Sequence, residues 1–450
     1  MIPTLPTFLL LLASALVAGW GVFAPEFSRA GGVAFAGVIV LMAADWVVSR
    51  RLARVTVART VEDKLSLGQA NTVRLEVANR GRLPLALVVK DDAPWEFSAS
   101  RREIPVHLAP YERAEVTYTL TPRRRGDFAF AGLHVRGLSL LRLSQWQRHF
   151  PAARTVQVYP DLLGIDRYVA LARAQRLQEI GFRPVRYLGD GAEFDYLREY
   201  SPDDDYRKID WKATARHQRP LTRQYDLERS QTLMLVIDAG RMMCAEIQSP
   251  PPGPPPAAGG GLVMSKLDYA INAALLLAYV AVERDDAVGL TVFADELETF
   301  VPPGKGLRQV GLLADQLYAV QPVLREPDYG AAFALLRRRT QRRALVVTFT
   351  DLIDREASAQ LLANVLALSP RHLPLVVTLR DDRLDALARA RPEEARQAYE
   401  RAVATDLLAQ RRLALAGLRA GGALVLDAAP RDLTVETVNR YLEIKARAML

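Results

Sequence analysis

The chain has 450 residues, of which 50% are hydrophobic and 24% are charged, and its formal net charge is +8. Because single cores rarely grow beyond about 250–300 residues, we expect a globular chain of more than one domain with added apolar sequence. The single cysteine, Cys244, excludes an internal disulfide. No CxxC, HExxH or clustered histidine motif occurs in the sequence, so a transition-metal site is not expected.

The first fifty residues predict two transmembrane helices. Residues 5–24 carry no charge, and as a helix they would span about 30 Å, the thickness of the hydrocarbon core of a bilayer. A second apolar stretch follows at residues 30–48, with Asp45 near its end. The length of the apolar run, the missing basic N-terminal region and the second span argue against a cleaved signal peptide.

The charges behind the second span predict the orientation of this anchor. An arginine cluster follows the span directly, formed by Arg50, Arg51 and Arg54. By the positive-inside rule this end is cytoplasmic. We therefore expect a multi-pass protein of the inner (cytoplasmic) membrane that contacts lipids through the two helices and has the bulk of its chain in the cytoplasm.

Two patterns predict the fold class of the body. Residues 52–160 alternate apolar and polar side chains between turn-rich breaks, which is typical of an antiparallel β-sandwich. In residues 232–450, apolar strand patterns alternate with helical ones, which predicts a doubly wound α/β domain of the Rossmann type. Residues 161–231 form a charged linker between them, and a Pro/Gly-rich insert occupies residues 249–261.

The stretch "SPDDDYRKIDWKATAR", residues 201–216, leaves three interpretations open. Asp203, Asp210 and Lys212 follow the order of a metal-dependent nuclease, but six residues separate the two carboxylates, which fits a single turn. The basic and aromatic side chains would suit nucleic acid, yet the neighbouring carboxylates nearly neutralise them, so no nucleic-acid partner is expected. The third interpretation, which we favour, is a structural clamp that a partner can also contact, with Trp211 offering an apolar side.

The residues from Gly189 to Asp238, "GDGAEFDYLREYSPDDDYRKIDWKATARHQRPLTRQYDLERSQTLMLVID", resemble domain-of-unknown-function family 58. The resemblance implies a von Willebrand factor A-like α/β domain behind a membrane anchor and a β-sandwich. It also implies a MoxR-type AAA+ ATPase as the partner. The clamp motif carried by this resemblance comprises Arg198, Glu199, Tyr200, Asp204, Arg207, Asp210, Trp211, Lys212 and Arg216.

The same resemblance allows a test for a divalent-cation site. A metal-binding von Willebrand A domain has Asp-x-Ser-x-Ser after its first strand, a Thr in a later loop and an Asp after the fourth strand. Here Asp238 and Asp351 match, but Gly240 and Met242 replace both serines, and the later loop offers Asp328 and Tyr329. Two of five ligands remain, and Arg241 would bring a cation to the metal position, so Asp238 and Asp351 are interpreted as a degenerate remnant that holds no metal.

We therefore expect a membrane-anchored, non-catalytic adaptor or scaffold without a cofactor. It would work with an AAA+ ATPase in protein assembly or maturation, as the resemblance implies. The alternative is a metal-dependent hydrolase or nuclease that uses Asp203, Asp210 and Lys212.

Overall fold

The computed structural model describes residues 2–160, 193–201, 206, 209–226, 230–249, 262–352, 355–447 and 449. The chain divides into two compact units, Met1–Tyr159 and Pro160–Leu450. Of the predicted linker, residues 161–192 lie outside the described residues. Residues 250–261 of the Pro/Gly-rich insert also lie outside them.

The first unit begins with two apolar helices, α1 (Leu5–Gly19) and α2 (Pro25–Leu52), joined through a 3-10 turn at Trp20–Val22. By length and composition the helical stretches Leu5–Val22 and Pro25–Leu52 could cross a membrane, with mean hydropathies of 1.9 and 2.0. Helix α2 begins at Pro25 rather than at the predicted residue 30, because proline is well suited to the first turn of a helix. The two helices pack closely where a Cβ on Gly31 would lie 2.4 Å from the backbone nitrogen of Ala18.

The remainder of the first unit consists of three sheets. Their orders are β1-β11-β10-β5-β7, β2-β4-β8-β6 and β3-β12-β9, and all pairings are antiparallel except that of β3 with β12. The strands are β1 (Ile2–Pro3), β2 (Val55–Thr60), β3 (Lys64–Ser66), β4 (Asn71–Asn79), β5 (Leu85–Asp91), β6 (Ser98–Ala99), β7 (Glu103–Leu108), β8 (Arg113–Thr121), β9 (Gly126–Phe130), β10 (Leu133–Leu138), β11 (Ser144–Phe150) and β12 (Arg154–Tyr159).

A buried polar cluster joins the two larger sheets across the core. Tyr118 on β8 donates a hydrogen bond of 2.6 Å to Asp91 on β5, and Arg59 on β2 forms an ion pair with the same carboxylate. The Arg59 guanidinium also lies 4.4 Å from the centre of the Phe130 ring. Burial raises the pKa of Asp91 and that of Tyr118. The sheets are thus held together by a satisfied polar contact as well as by apolar packing.

The second unit begins, within the described residues, with a β-hairpin and a short helix. Strands β13 (Glu193–Glu199) and β14 (Leu221–Asp226) pair antiparallel, and helix α3 (Trp211–His217) lies between them in sequence. The larger part of the unit is a six-stranded sheet of order β19-β18-β15-β20-β21-β22, in which only β19 is antiparallel to its neighbour.

The elements of this α/β part follow one another in the chain, with a small antiparallel pair, β16 and β17, before the first long helix. The strands are β15 (Thr232–Asp238), β16 (Glu246–Ser249), β17 (Leu262–Ser265), β18 (Ala287–Phe293), β19 (Leu297–Gly304), β20 (Leu345–Thr350), β21 (Leu373–Leu379) and β22 (Leu424–Ala428). The helices are α4 (Lys266–Glu283), α5 (Leu307–Leu317), α6 (Tyr329–Arg339), α7 (Arg355–Leu366), α8 (Asp382–Arg389), α9 (Ala395–Ala420) and α10 (Leu433–Ala446).

Burial along the central strand indicates that both faces of the sheet are covered. Met234 and Val236 belong to a cluster with side chains of α6, α7 and α9. Leu233, Leu235 and Ile237 point to the opposite face and are equally buried. The structure thus contains two apolar helices, antiparallel sheets and a mainly parallel sheet with helices. These elements confirm the predicted multidomain layout.

A second buried ion pair fixes the last helix. Asp286, in the turn between α4 and β18, accepts a hydrogen bond of 2.5 Å from Lys445 on α10 and one of 2.9 Å from the amide of Gln231. The Tyr441 hydroxyl donates to the other oxygen of Asp286. Burial lowers the pKa of Lys445, although Asp286 opposes this effect.

We predict that Lys445→Met destabilises the protein, because it leaves the buried Asp286 without its cation. The free energy of unfolding should fall by about 3 kcal/mol. Lys305→Met is the matched control, since its pair with Asp285 is exposed and measures 3.0 Å; its loss should change the free energy by less than about 1 kcal/mol. Unfolding of the detergent-solubilised full chain would measure both, and equal effects would contradict the prediction.

Candidate functional site

The carboxyl ends of β15 and β20 bring two carboxylates to one edge of the sheet. Asp238 is the last residue of β15, and Asp351 directly follows β20. From these two neighbouring strands the order proceeds outward to β18 and β19 on one side and to β21 and β22 on the other. Ligands of open α/β sheets bind at such a switch point. The sequence pattern predicted both carboxylates at strand ends.

Asp238 is fully buried and accepts hydrogen bonds only from neutral donors among those resolved. Its Oδ2 accepts from the Thr350 hydroxyl at 2.7 Å and from the Tyr329 hydroxyl at 3.0 Å, and its Oδ1 accepts from the amide of Gly240 at 2.7 Å. The Phe293 ring packs edge-on against Tyr329. Burial raises the pKa of Asp238, and these hydrogen bonds only partly oppose that effect.

Asp351 contacts two buried cations. Its Oδ2 lies 2.5 Å from the Nζ of Lys266, and its Oδ1 accepts from a guanidinium nitrogen of Arg411. The amide of Leu352 donates to Oδ1 at 2.8 Å. Lys266 is only 1% exposed. Asp351 is therefore neutralised from within the protein.

Two helices position these cations. Lys266 is the first residue of α4 and lies within a capping box in which Ser265 and Asp268 bond each other's backbone amides. Arg411 lies within α9 and also donates to the carbonyl of Leu379 at 3.0 Å and to Asp427 at 2.7 Å. Burial lowers the pKa of Arg411, but the carboxylates outweigh it, so that its pKa is raised overall.

The donor set does not fit Mg²⁺, which requires oxygen ligands free to coordinate it. The oxygens of Asp238 accept hydrogen bonds from two hydroxyls and an amide, and those of Asp351 contact Lys266 and Arg411. Among the described residues, no group of three or more His, Cys, Asp or Glu side chains could hold a metal ion.

The cations resolved at Asp351 are Lys266 and Arg411, whereas the resolved ion pair of Arg241 lies with another carboxylate. Arg241 forms a 2.8 Å ion pair with Glu326 and is partly exposed. A second exposed pair, Arg325 with Asp295, lies nearby in sequence at 2.6 Å. Asp328, the other candidate replacement for the family threonine, accepts from the Ala331 amide and caps α6. Tyr329 alone reaches Asp238 from this loop.

The clamp motif forms a compact surface element where it is described. Asp210 is the N-cap of α3, and its Oδ1 accepts from the amides of Lys212 and Ala213, each at 3.0 Å. The Asp210 amide donates to the carbonyl of Leu221 on β14, and the Leu221 amide donates to the Thr214 hydroxyl. The helix is thereby fixed to the hairpin at both of these points.

The other motif residues divide into exposed side chains and residues outside the description. Trp211 is 68% exposed, and Lys212 and Arg216 are exposed beside it. Glu199 forms an ion pair with Arg219, and the amide of Tyr200 donates to the carbonyl of Pro220. The side chains of Arg198, Asp203, Asp204 and Arg207 lie outside the described residues.

This geometry does not favour the nuclease alternative. The Asp210 carboxylate is committed to capping α3 through two backbone amides. Lys212 lies in the first turn of that helix. Asp203 falls outside the described residues.

Three residues of the buried site were not predicted. Thr350 immediately precedes Asp351, and strand alternation would have placed it on the face opposite to Phe349. Lys266 lies within a Ser-x-x-Asp capping signal, Ser265 to Asp268, which places it in the first turn of a helix. Arg411 carries no local signal, because it contacts Asp351 from 60 residues away in sequence.

Replacing Asp238 with Asn tests the environment of this carboxyl group. An acid with a raised folded-state pKa stabilises the fold most below its unfolded-state pKa of about 3.9, and that contribution is lost as the pH rises through the folded-state pKa. We therefore predict that the Tm of the wild-type protein minus that of D238N decreases from about pH 4 towards neutrality.

The control for this measurement is Asp295→Asn, because a hydrogen bond from Arg325 lowers the pKa of Asp295. The stabilisation that Asp295 provides is lost only as the pH falls below about 4. The Tm of the wild-type protein minus that of Asp295→Asn should therefore stay constant above about pH 4. Thermal unfolding of the full chain in detergent would record both series. A Tm difference for D238N that grows with pH would contradict the prediction.

Comparisons with known proteins find one family model and several curated relatives that match this chain. Residues 196–413 match the family model described as protein of unknown function DUF58. An uncharacterized protein of Bacillus subtilis, YeaD, is 26% identical over 184 residues, which are 39% of this chain and 46% of that protein. An uncharacterized protein of Mycobacterium tuberculosis is 25% identical over 233 residues, which are 50% of this chain and 67% of that protein. The chain thus spans about half the length of the Bacillus relative.

Solved structures give weaker likenesses. The conserved hypothetical protein BatB from Bacteroides thetaiotaomicron matches 48% of this chain and 99% of its own, with 15% identity and a TM-score of 0.28. A PapD-like domain of human CEP192 matches 24% of this chain and 85% of its own, with 18% identity and a TM-score of 0.18. At these TM-scores neither likeness supports a conclusion about fold or function. The matched stretch contains the clamp helix, Asp238, Lys266, Asp351 and Arg411, and residues 196–413 of this chain are thus similar to the DUF58 family of proteins of unknown function.

Proposed function

We propose that this protein is a membrane-anchored, non-catalytic adaptor of the von Willebrand A-like type that binds other proteins through its second unit. Its partner is an AAA+ ATPase of the MoxR type, as the family resemblance implies, and the process is protein assembly or maturation. The proposal combines an anchor, a closed metal-free sheet edge and an exposed recognition element.

The anchor is supported by the composition and exposure of α1 and α2. Large apolar side chains along both helices are exposed, among them Leu12, Leu16 and Val40. Contiguous apolar surface of this kind is unfavourable in water and favourable in a bilayer. The arginines behind α2 favour a cytoplasmic location for the body.

The von Willebrand A-like assignment is supported by strand order and by the positions of Asp238 and Asp351 at adjacent strand ends. In metal-binding members of that fold, a divalent cation would link such carboxylates. Here the ammonium group of Lys266 supplies positive charge to Asp351 instead. Partner binding at this edge would therefore be independent of divalent metal.

The observation that carries the adaptor proposal is the exposure of Trp211. Its side chain is 68% exposed on a helix that Asp210 caps and that Thr214 ties to β14. An exposed tryptophan on a fixed element is typical of interaction hot spots, where it is desolvated by a partner. The charged residues on either side would give the contact its orientation and specificity.

We predict that Trp211→Ala abolishes or strongly weakens partner capture. The tagged full-length protein would be crosslinked in native membranes, purified and examined by mass spectrometry. Because hot-spot residues contribute about 2 kcal/mol or more, recovery of an AAA+ ATPase should fall at least about tenfold. Trp95→Ala is the matched control, since Trp95 is 81% exposed but belongs to the first unit.

Capture by the wild-type protein and Trp95→Ala, but not by Trp211→Ala, would support the adaptor function and this contact surface. Equal capture by all three would remove the contact surface from the proposal. Absence of any AAA+ ATPase with the wild-type protein would contradict the partner assignment.

We also predict that the wild-type full chain shows no saturable binding of Mn²⁺ at micromolar concentration. The reason is that Lys266 and Arg411 already neutralise Asp351, and a divalent ion there would meet two like charges. Isothermal titration in detergent would measure this. Micromolar binding that disappears in Asp238→Ala would show that the sheet edge is a metal site.

A further inference from the structure

The turn between β10 and β11 exposes leucines at the end of the sandwich that meets the apolar helices. Leu138, Leu140 and Leu141 are 42%, 51% and 58% exposed, whereas Leu143 is buried. We call residues 138–143 the leucine turn. Three exposed leucines within four residues form an apolar tip that is unfavourable in water.

Hydrogen bonds fix the leucine turn to the end of α2. The amide of Leu140 donates to the Ser49 hydroxyl at 2.9 Å, and the amide of Leu141 donates to Asp45 Oδ1 at 3.1 Å. The Ser49 hydroxyl in turn donates to Asp45 Oδ1 at 3.3 Å. Asp45 and Ser49 are both buried. The turn therefore lies alongside the last two turns of α2.

The start of α1 also contacts the same turn. The amide of Thr4 donates to the carbonyl of Leu143 at 3.2 Å, and the Thr7 hydroxyl donates to the same carbonyl. Ile2 and Pro3 form β1, which pairs with the first residues of β11. The position of the turn is thus determined by hydrogen bonds to both helices.

These contacts set the depth of the turn along the helices. Asp45 lies seven residues before the end of α2 at Leu52, a distance of about 10 Å along the helix axis. At this level the helices expose further apolar side chains, including Leu5, Phe8 and Val48. The leucine turn and the two apolar helices therefore present apolar side chains at the same depth.

The charges next to this surface suit a lipid boundary. Arg142, within the leucine turn, is exposed, and Arg50 and Arg51 lie in the last turn of α2. Arginines at the end of a membrane helix extend their guanidinium groups to the phosphate layer while their stems stay in apolar surroundings. Basic residues at this depth attract anionic phospholipid headgroups.

We propose that the leucine turn is a third membrane contact, inserted into the interfacial layer of an anionic phospholipid bilayer beside α1 and α2. It fixes the end of the sandwich against the membrane, so that the first unit has one orientation rather than swinging on its anchor. The inference rests on the membrane-anchoring part of the proposed function and adds a lipid-binding surface to it.

The test uses single-cysteine variants of the full chain in a Cys244→Ala background, each labelled with an environment-sensitive fluorophore. Leu141→Cys reports on the leucine turn. Leu12→Cys reports on insertion of α1, where Leu12 is exposed. Ala153→Cys, an exposed position beyond the opposite end of β11, reports on the aqueous side. The proteins are reconstituted into vesicles of phosphatidylcholine and phosphatidylglycerol that carry spin-labelled lipids.

We expect blue-shifted emission at Leu141 and quenching at least about twofold stronger than at Ala153, with headgroup-proximal spin labels more effective than mid-chain labels. Mid-chain labels should quench Leu12 most strongly. Quenching at Leu12 but not at Leu141 would overturn the inference and leave the anchor intact. No quenching at Leu12 would refute the anchor and the inference together, and equal quenching at all three positions would overturn the inference as adsorption without orientation.

Discussion

The contact of Asp351 with Lys266 and Arg411 is the interaction on which the α/β part of the second unit depends. A buried carboxylate is stable only when its charge is compensated and its oxygens accept hydrogen bonds. The two cations come from α4 and α9, and Arg411 continues to Asp427 on β22. One charged chain therefore links the strand end at the centre of the sheet to two helices and to its edge strand.

The same network explains why the resolved donors to Asp238 are neutral, whereas those to Asp351 include two cations. The two cations and the carboxylates of Asp351 and Asp427 balance one another, so no positive charge remains for Asp238 among its resolved contacts. Its oxygens are satisfied by Thr350, Tyr329 and Gly240. Burial, and to a smaller extent the neighbouring carboxylate of Asp351, raise the pKa of Asp238. Cations of the protein itself thus neutralise Asp351, and hydroxyl groups contact Asp238, before any ligand binds.

A structural feature could be predicted from the sequence where the pattern that encodes it is local in the chain. Apolar runs and period-two alternation are local, and they were sufficient for the two apolar helices, the antiparallel sheets and the positions of Asp238 and Asp351 at strand ends. Lys266 and Arg411 lie 85 and 60 residues away from Asp351 in the sequence. No local pattern identifies which lysine or arginine will pair with so distant a carboxylate. The exposure of Trp211 was also missed, although Asp210 before a helical pattern is an N-cap signal that would have placed Trp211 at the first turn of a surface helix.

Asp45 in the first unit is also a buried carboxylate, and its resolved hydrogen bonds come from neutral donors. A carboxylate near the end of an apolar helix would suggest ion or proton traffic if it faced a bilayer alone. Here its Oδ1 accepts from Ser49 and from the amide of Leu141, so the sandwich supplies the polar contacts that lipid cannot. The amides of the turn gain partners in return, which a tight turn beside an apolar helix would otherwise lack. Through its Oδ1, Asp45 therefore acts as a structural joint between the anchor and the sandwich, whereas its buried Oδ2 has no hydrogen-bond partner among the described residues.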